Sequence, residues 1–162
     1  MPDFQHTECA IRQLYARCTD AVWRRDYAAF TACFAADATW KIAGLTLRGH
    51  AEIHAGITRF LAPSQRVLLQ FGLTVLDVGD QTATGRTPLT EYVKLKDGTG
   101  VRTLGVYYDR FARHQGDWLF AARHFDMAYY GPPDISAAAY PCADYGPPPA
   151  MPGDDPQTTV RS

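Results

Sequence analysis

The chain has 162 residues, 46% of them apolar and 20% charged, with a formal net charge of −1. That length suits one domain burying roughly two thirds of its extended surface, and the composition excludes a mostly disordered chain. The 16 basic residues are scattered, no apolar run approaches the ~18 residues of a membrane span, and the start is polar and acidic, so no nucleic-acid stripe, membrane helix or secretory signal is expected.

Thr7 can cap a first helix running to about Arg24, with Ile11, Leu14, Tyr15, Cys18 and Val22 as its apolar stripe. Asp26 can cap a short second helix that turns Tyr27, Phe30 and Phe34 inward. After a break at Ala36-Asp37, Thr39–Leu47 reads as a strand or a hairpin around Ala43-Gly44. Residues 49–61 form a third helix with Ile53, Ile57, Phe60 and Leu61 on one side, stopped by Pro63.

The remainder predicts strands. Residues 66–78 are β-branched and apolar, and 81–96 follow, ending at the turn Asp97-Gly98-Thr99-Gly100. Pro88 within that strand implies a bulge or a sheet edge. Residues 101–113 and 118–129 complete the set around Gln115-Gly116-Asp117. Eight of the eleven prolines fall between Pro132 and Pro156, which divides the chain into a domain over 1–131 and an extended Pro-rich tail over 132–162. Helices followed by an antiparallel meander give an α+β fold. The last strand is apolar on both faces, and helices cover only one, so a homo-oligomer (dimer or trimer) is expected to cover the other. None of Cys9, Cys18, Cys33 and Cys142 forms a CxxC pair, which suggests reduced thiols and a cytoplasmic protein.

Several stretches carry a resemblance: Ala10-Ile11-Arg12-Gln13-Leu14-Tyr15, Phe34-Ala35-Ala36-Asp37-Ala38-Thr39-Trp40, Leu47-Arg48-Gly49-His50-Ala51-Glu52-Ile53, Gly105-Val106-Tyr107-Tyr108-Asp109 and Trp118-Leu119-Phe120-Ala121-Ala122-Arg123. Over roughly residues 8–130 the chain resembles the cone-shaped fold of nuclear transport factor 2, in its SnoaL-like branch. The resemblance implies three N-terminal helices packed on a strongly curved antiparallel sheet. It also implies a cofactor-independent lyase or isomerase, similar to bile-acid 7α-dehydratase, scytalone dehydratase and hexachlorocyclohexane dehydrochlorinase. Those enzymes pair a helix Asp with a strand His. Here Tyr15 and Asp20 resemble the Tyr-x-x-x-x-Asp of the bile-acid enzyme, whereas the strand Arg66–Leu73 holds no histidine and has Gln70 or Leu68 at the corresponding place. Ketosteroid isomerase shares the fold; its two acid donors would fall on Tyr15 and Asp109, and its carboxylate near Ile42, which cannot take a proton.

Elimination needs a base near the proton removed and a polar group near the leaving group. The expected catalytic residues are Asp20 to abstract a proton or orient His124, Tyr15 to polarise a substrate oxygen, and His124 in place of the missing strand histidine. Trp40, Gln70, Phe71, Glu91, Tyr107 and Phe125 are the expected substrate-binding residues of an apolar pocket. Arg17 and Arg24 flank Asp20 at helical spacing, which is also the pattern of a surface ion pair. His50 and His54 lack a third ligand, and no nucleotide loop is present, so neither metal nor cofactor is expected. The ligand would be small, apolar and cyclic. A binding protein that keeps the cone and lacks the chemistry is the alternative.

Overall fold

The computed structural model describes residues 3–141 and 151–152. The fold is α+β, and helices α1 (Phe4–Arg24), α2 (Tyr27–Thr31) and α3 (Gly49–Leu61) pack on one curved, unclosed sheet. Its strands are β1 (Phe34–Ile42), β2 (Leu45–Arg48), β3 (Ser64–Phe71), β4 (Val75–Val78), β5 (Thr82–Leu95), β6 (Gly100–His114) and β7 (Asp117–Gly131). The order across the sheet is β2-β1-β7-β6-β5-β3, with β4 also on β5. The sheet is mixed rather than wholly antiparallel, because β1 pairs with β7 in parallel. The helical residues between β1 and the later strands supply the crossover that a parallel pair requires.

Local chemistry sets the element ends. The carboxylate of Asp3, not Thr7, caps α1 by accepting from His6 N. Asp26 caps α2 by accepting from Ala29 N at 2.9 Å. Between them α1 ends on Arg25 in the left-handed region (φ 57°). Arg25 N donates to Val22 O and Asp26 N to Ala21 O, the Schellman pattern that satisfies the last carbonyls. Ala43 and Gly44, with φ of 51° and 77°, turn β1 into β2.

The single strand expected over 66–78 is two. Residues 72–74 interrupt it, and the cause lies opposite, at Pro88 of β5. The Pro88 carbonyl accepts from Gly72 N at 2.8 Å, so the position where Pro88 lacks an N–H also faces this edge. β3 pairs with β5 down to Leu89, β4 pairs from Arg86, and the ladder is broken between them.

The concave face and the helices share one core, which includes Ile11, Leu14, Phe34, Ile53, Phe111 and Phe120. On the convex face, part of the 132–141 segment returns along β7, with Tyr140 N donating to Ala128 O and Tyr129 Oη donating to Pro132 O. That segment supplies cover which the sequence assigned to a second subunit. Cys142 and most of the Pro-rich tail lie outside the described residues.

Candidate active-site cavity

Strand alternation places Thr87, Leu89, Glu91 and Val93 of β5 on the concave side, opposite Tyr107 and Thr103 of β6. All of these but Thr87, which is buried behind the wall, join Phe125 and Arg123 of β7, Trp40 of β1, Phe71 of β3 and Cys18 of α1 in lining a cavity of about 160 Å³. Gly105 lies between Thr103 and Tyr107 on that face, and a Cβ there would run into the Phe125 ring and the Asp126 carbonyl. Its absence lets Phe125 lean over β6 as part of the cavity wall.

Arg123 and Asp109 anchor the inner end, at 2% and 0% side-chain exposure. Arg123 donates from Nε to Asp109 Oδ1 at 2.8 Å, from Nη2 to Asp109 Oδ2 at 3.2 Å and from Nη1 to Cys18 Sγ at 3.7 Å. Its guanidinium carbon stands 3.8 Å from the Tyr107 ring centre and 4.0 Å from that of Phe120. Three of its five N–H groups thus meet protein acceptors; the other two have none among the described residues.

The polarity of the network follows from proton counting. Asp109, as a carboxylate, only accepts, so Tyr15 Oη donates its one proton to Asp109 Oδ2. Thr87 must then donate to Tyr15 Oη at 2.8 Å, and Thr74 to Thr87 Oγ1 at 2.8 Å. Burial first, and the charge of Asp109 second, push the Tyr15 phenol well above its ordinary value, which keeps it a donor. Burial pushes the Asp109 carboxyl up, against the pull of Arg123 and Tyr15. Tyr107 is also raised by burial, and it accepts from Trp40 Nε1 at 3.3 Å, so its own proton remains for a ligand. At the other end of the cavity Glu91 Oε1 accepts from Thr103 Oγ1 at 3.0 Å. Glu91 is the one carboxylate that lines the cavity among the described residues.

The structure brings Trp40, Phe71, Glu91, Tyr107 and Phe125 round this cavity and leaves the other expected residues elsewhere. Tyr15 is buried just behind the wall. Asp20 is solvated on α1, 59% exposed, where its carboxylate accepts from Arg24 Nε at 2.8 Å; the ion-pair pattern of its neighbours prevails. Gln70 alternates with Leu69 and Phe71 and is exposed on the convex side. His124 is also convex, between Lys41 of β1 and Tyr108 of β6. A register shift opposite Arg110 and Phe111 reverses the alternation in β7, so Phe120 and Arg123 share the concave face and His124 does not. Asp20 and His124 therefore stand on opposite sides of the sheet. The residues that the sequence reading passed over are Arg123, Cys18 and Thr87. Their signal was slight: Arg123 is the one full cation of β7, set among Phe120, Phe125 and Met127.

Comparison with known proteins adds the lineage. The sequence profile of the SnoaL-like domain matches residues 6–124. No curated protein matches the chain. Among solved structures, hexachlorocyclohexane dehydrochlorinase LinA-type3 from Novosphingobium barchaimii LL02 is 17% identical, with a TM-score of 0.72 over 86% of this chain and 97% of that one. A protein of Novosphingobium aromaticivorans DSM 12444, provisionally described as a scytalone dehydratase, is 16% identical, with a TM-score of 0.75 over 97% and 100%. A function-unknown protein from Mycobacterium tuberculosis is 23% identical, with a TM-score of 0.72 over 84% and 80%. At these identities the likeness carries the fold.

Proposed function

The chain belongs to the SnoaL-like domain family, and from that premise we propose that it is a lyase or isomerase that moves a proton on a small, largely apolar cyclic substrate in the cone cavity. One observation carries this reading. An apolar cavity holds donor protons that no acceptor among the described residues takes, the Tyr107 hydroxyl proton and two of the five N–H of Arg123, at one end and a single carboxylate, Glu91, at the other.

In this reading the substrate oxygen rests on Tyr107 Oη and the spare N–H groups of Arg123. Glu91 removes a proton from a ring carbon. The C–H electron pair moves toward the oxygen-bearing carbon, and charge builds on the oxygen, where those donors already point. Return of the proton to a different carbon gives isomerisation; expulsion of a substituent from the next carbon gives elimination. Asp109 and Tyr15 hold Arg123 in place. The aromatic walls of Trp40, Phe71 and Phe125 keep water from competing for the donors.

A ligand-binding protein without turnover is the second reading, and it is favoured by the lack of a histidine in the lining among the described residues. Deuterium exchange separates the two. Cyclohex-2-enone and 2-tetralone, incubated with the protein in D2O and followed by proton NMR, are expected to exchange ring protons above the buffer rate. Glu91→Gln should lower that rate by about 10²- to 10⁴-fold, the usual worth of a general base, with ligand-induced thermal shifts retained. Thermal shifts without exchange would establish the binding protein instead.

A further inference from the structure

We infer that the groove between α1 and the β3–β4 edge is a second compartment of the same binding site, which takes the apolar chain of a ring-plus-chain ligand when Phe71 rotates. The inference rests on the proposed function for the ring end, and it assigns the chain end.

The cavity is too small for more than a ring. At about 160 Å³ it is close to the roughly 150 Å³ space known to hold benzene. Outside it, α1 and the edge strands bound a groove of about 690 Å³. Leu69 and Phe71 line both spaces, so the partition is one side chain thick. Phe71 is the last residue of β3, half-buried, and followed by the ladder break opposite Pro88. Next to it stands exposed Gly72, which offers no side chain to obstruct a turning ring. The ring of Phe71 is held only by face contacts, with the ring centre of Tyr15 on the groove side at 4.9 Å, that of Tyr107 on the cavity side at 6.0 Å and the guanidinium carbon of Arg123 at 5.4 Å.

The groove suits an uncharged chain. Trp23, Leu68, Leu73 and Leu76 line it, and the first three are exposed among the described residues, which makes an apolar patch rather than a lone surface leucine. Its rim charges are already matched, Arg12 with Glu8 and Arg24 with Asp20. An anionic or cationic extension would find no partner there. The relay from Thr74 through Thr87 and Tyr15 to Asp109 ties the groove's lip to the Arg123 anchor, so both ends of one ligand would be held on one rigid frame.

The test uses benzoate and its 4-methyl to 4-octyl derivatives, with affinities from calorimetry. In the wild-type protein, affinity is expected to rise about fourfold per added methylene until the groove is filled. Ala16 lines the groove and not the cavity. Ala16→Trp should therefore abolish the chain-length gain and leave benzoate itself unchanged; Ala16→Leu serves if the tryptophan variant does not fold. Phe71→Trp should slow association of the octyl compound more than that of benzoate. A flat series in the wild type, or a gain that survives Ala16→Trp, overturns the inference. So does an altered oligomeric state in Ala16→Trp with an unaltered series, which would make the groove a contact between copies. Toluene, which has no oxygen to accept from Arg123 and Tyr107, binding as well as benzoate would instead remove the Arg123 anchor from the proposed function, and the contrast between wild type and Ala16→Trp would still decide the groove.

Discussion

Arg123 and Asp109 are both fully withdrawn from water, and each is tolerable only because of the other. Removing one partner of such a pair leaves an uncompensated buried charge, at a cost of about 3–5 kcal/mol. Asp109→Asn is therefore expected to lower the unfolding free energy by that order in denaturant melts, whereas Asp20→Asn, which removes one end of an exposed helix pair, should stay within about 0.5 kcal/mol. Equal effects would mean that the buried network carries no more than a surface pair. His124 gives a second expectation. Burial lowers its value, Lys41 adds to that, and Asp126 opposes it. The unfolded chain, titrating near 6.5, thus takes up the proton first as pH falls. The His124 contribution is complete above about 6.5 and is lost below it, down to the folded value. Melting temperatures between pH 7 and 5 should fall more steeply for the wild type than for His124→Gln, and parallel slopes would refute this. At this scale the sequence was only partly legible. Residue type marked Glu91, Tyr107 and Phe125 as cavity candidates, but which face each polar residue takes depends on bulges. One register shift in β7 exchanged the sides of Arg123 and His124.

Elements were far more legible, because their ends are written in local chemistry. Asp26, Pro63, Ala43-Gly44 and Asp97-Gly98 each mark a boundary that the backbone obeys. Pairing partners are not local, which is why the break at 72–74, caused by Pro88 fourteen or more positions on, and the parallel β1–β7 contact were invisible. The end of α1 shows how local and distant terms combine. Arg25 adopts φ 57° and also donates to Leu61 O and to Ser64 O and Oγ, which joins α1 to the turn between α3 and β3. Arg25→Gly removes those bonds but relieves the left-handed strain, while Arg25→Ala removes the bonds and keeps the strain. Both are expected to destabilise, with the alanine variant worse by about 1 kcal/mol, since left-handed backbone costs a non-glycine residue roughly 1–2 kcal/mol. Chemical denaturation of the pair reads that difference directly. A glycine variant no more stable than the alanine one would show that the helix end relaxes when the clamp is cut.

The whole molecule has to cover two faces of one sheet. The concave side is served by the helices and the cavity. On the convex side Tyr108, His124 and Tyr129 are all buried within the single chain, although no helix among the described residues lies there. The 132–141 segment accounts for Tyr129, whose hydroxyl donates to Pro132 O and accepts from Ala137 N, and Tyr140 adds a backbone bond to Ala128. The oligomer proposed from the apolar strand pattern must therefore use whatever surface this strap leaves open. Truncation separates the strap from the residues beyond it. A chain ending at Gly131 loses three hydrogen bonds, each worth about 1 kcal/mol net, and uncovers the Tyr129 ring. It should be less stable by about 2–4 kcal/mol and show concentration-dependent self-association by light scattering. A chain ending at Pro141 keeps the strap but loses Met151 and Pro152, which stand half-buried beside Tyr108 and His124, so it should lie between the other two in stability without the self-association that uncovering Tyr129 brings. If the shorter chain is as stable as the longer and no more prone to associate, the strap contributes nothing, and the convex face is held by its own strands alone.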